Sequence, residues 1–231
     1  MPQYKTYFNW STGKDSALAL HYLLQDERFS IECLLTSINA HHNRVSMHGL
    51  RTELLNKQLK AIGIINEQLL LPEQTDNQTY ENLMRSKVQD LKDKGFTHSG
   101  FGDIFLEDLK QYREQQLQAF AIQCAFPLWK RNTKELMHEF IDSGFKAVVV
   151  CVNATLLDKS FAGKVIDEDF INDLPLGIDP CGENGEFHTF CFYAPYYKKE
   201  VAFTKGETIL REYNNNGTKS SFWFCDLLPV N

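Results

Sequence analysis

The chain has 231 residues and a formal net charge of −6, with 43% hydrophobic and 23% charged residues. This composition excludes a disordered chain, and the length predicts one large domain or one domain with a small appendage. A mildly acidic chain without a stripe of Lys and Arg disfavours nucleic acid as a partner, although one local anion site remains compatible with the charge.

Targeting signals and cysteine spacing predict the compartment. Residues 1–5 lack the apolar stretch of a signal peptide, and the densest apolar run, residues 147–152, is too short to span a bilayer. The six cysteines form no Cys-x-x-Cys pair, which predicts free thiols in a reducing compartment. We therefore expect a cytoplasmic protein without membrane contact, and a homo-oligomer stays open.

Short apolar runs alternate with helical patterns through the first two thirds of the chain. Strands are predicted at residues 4–10, 31–37, 67–71, 96–101, 127–129 and 146–152. Helices are predicted where apolar residues recur every three or four positions, at residues 17–24, 47–62, 80–91, 106–120 and 132–141. Asn132 and Glu135 form a capping-box pattern at the start of the last helix.

This alternation predicts an α/β fold with an open, mostly parallel sheet flanked by helices. The Val-rich run at residues 148–152 is typical of a parallel strand buried on both faces, so we assign it to that sheet. After residue 155 the chain becomes rich in Asp, Asn, Pro and Gly, and aromatic strand-like runs follow at residues 187–193, 200–203 and 221–227. We therefore expect two domains, residues 1–154 and a small β-rich cap at residues 155–231.

The first predicted strand ends in a loop of small and hydroxyl residues that leads directly into a helix: Ser11-Thr12-Gly13-Lys14-Asp15-Ser16. In open α/β sheets, ligands bind beyond the carboxyl ends of the strands. The backbone N–H groups of such a loop and of the new helix can approach an anion, and Lys14 adds positive charge. The 11–16 loop is thus a candidate phosphate site, and an ordinary turn with an N-cap explains the same residues equally well.

The 11–16 loop matches neither a Walker A motif nor Gly-x-Gly-x-x-Gly. Phe8 stands where Walker A needs its first glycine, and Asp15 stands where it needs Ser or Thr. An aspartate beside phosphates repels them unless a cation lies between, so Asp15 predicts a Mg²⁺ ion.

The sequence Ser-x-Gly-Lys-Asp-Ser between a strand and a helix resembles the pyrophosphate loop of the N-type ATP pyrophosphatases. Further segments match in order: Ser46-Met47-His48, Gly102-Asp103-Ile104, Tyr112-Arg113, Pro127-Leu128-Trp129 and, at residues 181–189, Cys-Gly-Glu-Asn-Gly-Glu-Phe-His-Thr. Together they resemble the diphthine–ammonia ligase family and its bacterial relatives. The resemblance implies the HUP, adenine nucleotide alpha hydrolase-like, version of the predicted fold.

The resemblance also implies a function, an AMP-forming ligase that adenylates a carboxylate with ATP and amidates it with ammonia. It implies ATP binding by Ser11, Thr12, Gly13, Lys14, Asp15, Ser16, Ser37, Asn39 and His48. It implies catalytic roles for Lys14, Asp15, Glu183 and Glu186, with Asp15 positioning Mg²⁺. It implies substrate binding by Gly102, Asp103, Arg113, Asn184, Glu186 and His188.

Plain structural roles compete with several of these assignments. His48 is also typical of an exposed residue at a helix start. Asp103 is equally well placed to cap the helix that follows it. Arg113 is equally suited to an ion pair with Asp108 or Glu114.

The segment at residues 181–189, which we call the tail motif, departs from the family pattern. Asn184 stands in place of a glycine and His188 in place of an acidic residue, as Thr12 replaces a glycine in the 11–16 loop. On a strand, Glu186 and His188 would point to one face and could bind an ammonium ion or accept its proton. The alternative is a polar turn that precedes a strand.

Other functions compete with the ligase. The same ATP chemistry could act on another small metabolite or transfer sulfur to RNA, and relatives of the latter kind carry paired cysteines. A nucleotide-binding regulator without turnover is a further alternative. The products of ATP cleavage separate these functions.

Overall fold

The computed structural model describes residues 3–46, 49–73, 75–215 and 218–230. The strands in these ranges are β1 Tyr4–Asn9, β2 Phe29–Asn39, β3 Arg44–Val45, β4 Ile65–Leu71, β5 His98–Gly100, β6 Gln123–Ala125, β7 Lys146–Asn153, β8 Phe187–Tyr193, β9 Phe203–Asn215 and β10 Thr218–Pro229. The helices are α1 Lys14–Gln25, α2 Thr52–Ile62, α3 Asn77–Asp93, α4 Glu107–Gln118, α5 Thr133–Asp142 and α6 Glu168–Asp173, with a short 3₁₀ turn at Lys159–Phe161. No helix in the described ranges is both long and apolar enough to cross a membrane.

The first sheet is mostly parallel and has the strand order β3-β2-β1-β5-β6, with β4 also paired to β2. Strand β1 lies at its centre, parallel to β2 on one side and to β5 on the other. Among the described strands of this sheet, only β3 runs antiparallel to its neighbour. With helices following most strands, this sheet confirms the predicted α/β class.

The chain divides into two compact units. The first holds the residues up to Ser11, together with Asp15–Ser46 and Gly63–Lys130, and the other described residues form the second. One apolar cluster of the first unit joins β1, β2, β4, α3 and α4: Tyr7, Cys33, Leu35, Leu69, Leu71, Val88, Leu91, Phe96, Phe101, Leu117 and Ile122. The three- and four-residue spacing in α3 and α4 therefore marks the faces that cover this sheet.

The second unit contains an antiparallel sheet with the strand order β8-β7-β10-β9. Our assignment of residues 148–152 to the parallel sheet is wrong, because β7 pairs antiparallel with β8 and β10. A strand buried on both faces shows the same continuous apolar pattern in either orientation, so the sequence does not encode its direction. Strand β7 therefore belongs to the second unit. The predicted boundary at residue 154 would assign it to the first domain.

Three predicted strands also differ from the structure. Residues 127–129 form a turn, and the neighbouring strand β6 ends at Ala125, since Pro127 lacks the N–H that a strand ladder needs. Strands β9 and β10 form a much longer hairpin than the predicted runs at residues 200–203 and 221–227. The predicted cap of α5 is confirmed, because Asn132 Oδ1 accepts hydrogen bonds from the backbone N–H groups of Lys134 and Glu135.

Candidate functional site

Three residues of the 11–16 loop belong to the first unit, namely Ser11, Asp15 and Ser16. The hydroxyl of Ser11 donates a hydrogen bond to Ser16 Oγ at 3.0 Å. Asp15 is half-buried in the first turn of α1, where a carboxylate is favoured by the positive end of the helix dipole. The carboxyl end of β1 thus leads into a loop of hydroxyl groups and backbone N–H groups.

Gly102 follows β5 and packs against the start of α1. A Cβ at this position would lie 3.0 Å from the backbone nitrogen of Ser16 and 3.1 Å from the carbonyl carbon of Asp15. Only glycine permits this approach without a shift of the backbone. The structure therefore brings Gly102, which the resemblance assigns to substrate binding, next to Asp15 and Ser16, which it assigns to ATP binding.

Thr12 adopts a left-handed backbone conformation, with a φ of 79°. This conformation costs a residue with a Cβ about 1–2 kcal/mol. The carbonyl of Thr12 accepts hydrogen bonds from Gln58 Nε2 at 3.0 Å and from the backbone N–H of Cys191 at 2.9 Å. These two donors hold the strained residue in place inside the second unit.

Replacing Thr12 by glycine relieves the strain but removes a buried side chain. We expect Thr12→Gly to change the free energy of unfolding by less than about 1 kcal/mol, because the two effects oppose each other. Thr12→Ala keeps the strain and loses side-chain contacts, so we expect it to be destabilised by about 1 kcal/mol or more. Urea titration measures both values, and a Gly variant less stable than the Ala variant would contradict the strain.

Lys14 is buried in the second unit, with 2% of its surface exposed. Its backbone N–H donates to Thr189 Oγ1 at 3.0 Å, and its ammonium group donates to the carbonyl of Cys181. The Nζ atom lies 5.4 Å from the centroid of the Phe187 ring. A charge-assisted hydrogen bond and a cation–π contact therefore attach the lysine of the 11–16 loop to the tail motif.

Gln58 is a residue that reasoning from the sequence missed. It lies fully buried on α2 and donates to two carbonyls, that of Thr12 at 3.0 Å and that of Cys191 at 2.7 Å. Its position gave a signal, because Gln58 interrupts the apolar stripe that Leu54, Leu55 and Leu59 form on α2. A polar residue on a buried helix face needs partners there.

Glu186 organises the turn that precedes β8. Its carboxylate is 2% exposed and accepts three hydrogen bonds, from Asp179 N at 3.1 Å, Asn184 N at 2.9 Å and Asn184 Nδ2 at 3.1 Å. Asp179 Oδ2 in turn accepts from the backbone N–H of Glu183 at 3.0 Å. The buried carboxylate thus fixes the conformation of the tail motif, in which Glu183 is half-buried and Asn184 is exposed.

His188 lies on β8, half-buried in the second unit. Burial of the ring, and then the positive charge of Lys14, lower the pKa of His188 to about 4. The imidazole is therefore neutral near pH 7. A neutral imidazole can accept a proton or a hydrogen bond, whereas a carboxylate in its place would bring negative charge near the Lys14 ammonium group.

The lowered pKa of His188 predicts a pH-dependent stability. The unfolded chain protonates this histidine below about pH 6.5 and the folded chain only near pH 4, so its contribution to stability is lost as the pH falls between these values. We expect the difference in unfolding free energy between the wild type and His188→Gln to be constant above pH 7. As the pH falls toward 4, the wild type should lose more unfolding free energy than His188→Gln, so the difference should shift toward the variant. Urea titrations at several pH values measure it, and a constant difference throughout would contradict the lowered pKa.

Asp103 and Arg113 form an ion pair in the first unit. Arg113 Nη2 donates to Asp103 Oδ1 at 3.1 Å, while Nε lies 2.9 Å from Oδ2 without a hydrogen bond between them. The guanidinium carbon lies 4.5 Å from the Phe101 ring centroid. The helix-cap alternative for Asp103 is wrong, because Leu106 is the N-cap residue of α4.

One of the two partners that the sequence offered to Arg113 on its own helix, Glu114, binds another residue. Glu114 accepts a hydrogen bond from Lys110 at 2.7 Å, one turn away on α4. Arg113 instead reaches across to Asp103 in the loop that follows β5. The two predicted substrate residues are therefore in contact with each other.

Two predicted ATP-binding residues, Ser37 and Asn39, lie at the end of β2. Ser37 is half-buried, and its carbonyl accepts a hydrogen bond from the backbone N–H of Ser46 at 3.0 Å. Asn39 Oδ1 accepts from the backbone N–H of His42 at 3.0 Å and closes the turn that follows the strand. His48 lies outside the described residues.

The fold defines the class of protein first. A mostly parallel sheet with its hydroxyl-rich loop between the central strand and α1 is the architecture of HUP-like α/β proteins. Two family models then match the chain, "Diphthamide synthase N-terminal domain" over residues 4–118 and "Diphthamide synthase C-terminal domain" over residues 132–218. The chain therefore belongs to the diphthamide synthase family, which confirms the resemblance to the diphthine–ammonia ligases.

Curated proteins named diphthine–ammonia ligase are similar to part of the chain. The Homo sapiens protein is 34% identical over 88 residues, which cover 36% of this chain and 33% of that protein. The Danio rerio protein is 31% identical over 111 residues, covering 46% and 44% respectively. The Schizosaccharomyces pombe protein is 30% identical over 86 residues, covering 36% and 14%. The matched part thus spans less than half the length of these relatives.

Proposed function

We propose that this protein is an ATP-dependent, AMP-forming ligase that converts a carboxylate into an amide with ammonia. The observation that carries the proposal is the buried ammonium group of Lys14. It connects the 11–16 loop, the candidate ATP site, to the Cys181 carbonyl at the start of the tail motif, the candidate substrate segment. Family membership over both domain models supports the same activity.

In the first proposed step, a carboxylate oxygen of the substrate attacks the α-phosphorus of ATP. The bond from that phosphorus to the bridging oxygen of the β-phosphate breaks, and pyrophosphate leaves. We propose that Ser11, Thr12, Gly13, Lys14 and Ser16 bind this pyrophosphate, because their hydroxyl, N–H and ammonium groups suit a leaving group that gains negative charge. Ser37, Asn39 and His48 are proposed to contact the adenosine.

Asp15 is the proposed magnesium ligand in this loop. Mg²⁺ is usually held by one or two carboxylates together with substrate phosphates and water. Asp15, half-buried in the first turn of α1 and adjacent to the Ser16 backbone, fits that donor set. The ion would neutralise phosphate charge when bound.

In the second proposed step, the nitrogen of ammonia attacks the carbonyl carbon of the acyl-adenylate and AMP leaves. The attacking nitrogen must lose a proton, and we propose that the carboxylate of Glu183 accepts it, while the neutral ring of His188 can accept a hydrogen bond from the ammonia. Glu186 holds the tail motif in the conformation that presents Glu183 and Asn184. We propose that Gly102, Asp103 and Arg113 contribute to substrate binding, with the guanidinium group facing a carboxylate or the α-phosphate.

The names of the relatives make diphthine the first carboxylate to test. Asn184 and His188, which depart from the family pattern, change the charge and the size of side chains in the tail motif. The panel of carboxylates to be tested as substrates should therefore also include small metabolites.

The products of ATP cleavage test the proposed function. We expect the protein, incubated with ATP, Mg²⁺ and ammonium, to release AMP and pyrophosphate in equal amounts only when a suitable carboxylate is present. Formation of ADP and phosphate would contradict the proposal. Binding of ATP without any turnover across the panel would favour a regulator instead.

A further inference from the structure

The peptide unit between Thr12 and Gly13 is held by a buried side-chain amide. Gln58 has none of its surface exposed, and its Nε2 atom donates to the Thr12 carbonyl at 3.0 Å and to the Cys191 carbonyl at 2.7 Å. The backbone N–H of Cys191 donates to the same Thr12 carbonyl at 2.9 Å. Because a carbonyl oxygen has two lone pairs, these two donors together fix the direction of the Thr12 carbonyl.

The direction of this carbonyl also sets the direction of the Gly13 N–H group. A trans peptide unit is planar, so the carbonyl of one residue and the N–H of the next residue point in opposite directions. The Gly13 N–H therefore points away from the side on which Gln58 and Cys191 donate to Thr12. Gln58 thus controls the orientation of a backbone donor in the 11–16 loop.

The other end of this short segment is attached independently. The backbone N–H of Lys14 donates to Thr189 Oγ1 at 3.0 Å, and Thr189 is 3% exposed. Thr189 and Cys191 are two residues apart on β8, so Thr12 and Lys14 are both attached to the same strand. Loss of the Gln58 amide would therefore leave the segment attached to β8 and change mainly the peptide unit before Gly13.

The conformation of Thr12 makes this support necessary. Its φ of 79° is left-handed, which costs free energy for a residue that carries a Cβ, whereas glycine adopts such a φ readily. Strained residues persist only where their surroundings hold them. Without the Gln58 amide, we expect Thr12 to leave this conformation in most molecules. A glycine at position 12 would need the amide much less.

We propose that Gln58 is a positioning residue for pyrophosphate, which orients the Gly13 N–H toward this leaving group by holding the strained Thr12 in place. The inference rests on the proposed function, in which the 11–16 loop binds pyrophosphate. Gln58 itself contacts neither ATP nor the carboxylate in this role. A ligand that binds one loop conformation loses affinity in proportion to the fraction of molecules in that conformation.

Gln58→Met tests the role of the amide, because methionine has a similar length and no N–H donor. Both carbonyls keep one donor in this variant, since Cys191 N still donates to Thr12 and Tyr197 Oη lies 3.5 Å from the Cys191 carbonyl oxygen. We therefore expect the variant to fold, which thermal unfolding verifies. Its dissociation constant for inorganic pyrophosphate with Mg²⁺ should rise about tenfold or more, as expected if about a tenth of the molecules keep the binding conformation. Calorimetry on the full chain measures it.

The same substitution in a Thr12→Gly background separates positioning from a general loss of structure. Thr12→Gly alone should bind pyrophosphate within about threefold of the wild type, because glycine adopts the left-handed conformation without support. The double variant Thr12→Gly/Gln58→Met should then bind within about threefold of Thr12→Gly. A merely structural role of Gln58 predicts the same loss of affinity in both backgrounds.

Gln89→Met is the matched control. It makes the same chemical change on α3, where the exposed Gln89 donates its side-chain amide to Asp93 at 2.8 Å, and the dissociation constant should change by less than about twofold. If the wild type binds pyrophosphate, an equal loss in both backgrounds, or no loss in Gln58→Met, would overturn the inference and leave the proposed function intact. A wild type that binds neither pyrophosphate nor ATP would overturn the proposed function and this inference together.

Discussion

Lys14→Ala should reduce the rate of ATP cleavage to AMP by about 10²–10³-fold, the loss typical when one donor to a developing negative charge is removed. The side chain also holds the Cys181 carbonyl, so the substitution leaves that buried acceptor without its cation. We therefore expect a parallel loss of stability of about 1–3 kcal/mol. Product analysis by chromatography measures the first effect and urea titration the second.

Lys57→Ala is the matched control for Lys14→Ala. Lys57 also donates its ammonium group to a backbone carbonyl in the second unit, that of Val230 at 2.5 Å, but the residue is only half-buried and its hydrogen bond is exposed. We expect this control to keep wild-type turnover. If Lys14→Ala is folded and cleaves ATP at the wild-type rate, the assignment of the 11–16 loop to pyrophosphate is wrong.

Glu186→Ala should abolish amide formation while ATP binding by the 11–16 loop largely survives. The substitution removes the carboxylate that accepts three hydrogen bonds. The backbone N–H groups of Asp179 and Asn184 lose this acceptor. We expect the free energy of unfolding to fall by about 2–4 kcal/mol, since hydrogen bonds to a buried carboxylate are among the stronger ones. Calorimetry with a non-hydrolysable ATP analogue measures the binding, and product analysis measures the amide.

Glu186→Ala should be compared with a conservative variant, Glu186→Gln, and with a control variant, Glu200→Ala. The glutamine keeps one oxygen acceptor, so its activity and stability should lie between those of the wild type and the alanine variant. Glu200 forms an exposed ion pair with Lys146 at 2.8 Å, and its loss should cost less than about 1 kcal/mol. Loss of ATP binding in a folded Glu186→Ala variant would show that the tail motif serves the nucleotide rather than the amidation.

The local chemistry of the first unit could be predicted from the sequence. The strand–loop–helix arrangement at residues 11–16 depends on neighbours in the chain, and so does the periodicity that marks α3 and α4. Gly102 was found through the family resemblance, and it lies near the start of α1 because parallel strands of one sheet bring their carboxyl ends to the same edge. Interactions between residues that are close in sequence can be predicted from the sequence pattern.

The contacts of Lys14 could not be predicted in this way. Its partners Cys181 and Thr189 are 167 and 175 residues away in sequence, so no local sequence pattern predicts these contacts. Gln58 gave only an indirect signal, a polar residue on an apolar stripe, which does not name its partners. The roles of such residues emerge from the tertiary structure alone.

Strand orientation and length in the second unit were hidden for another reason. A continuous apolar run such as β7 indicates burial on both faces and not direction. Strand β9 is exposed on most of its length, so it shows little of the alternation that identifies a half-buried strand. Its partner β10 supplies the hydrogen bonds that the pattern does not reveal.

The transfer of oxygen from the carboxylate to AMP tests the proposed reaction most directly. With a substrate from the carboxylate panel labelled with ¹⁸O, attack on the α-phosphorus and later release of AMP leave one labelled oxygen in the phosphate of AMP. Mass spectrometry of the products should therefore show AMP carrying one ¹⁸O and pyrophosphate without any. Label in inorganic phosphate together with ADP, or unlabelled AMP formed along with the amide, would contradict adenylation of the carboxylate.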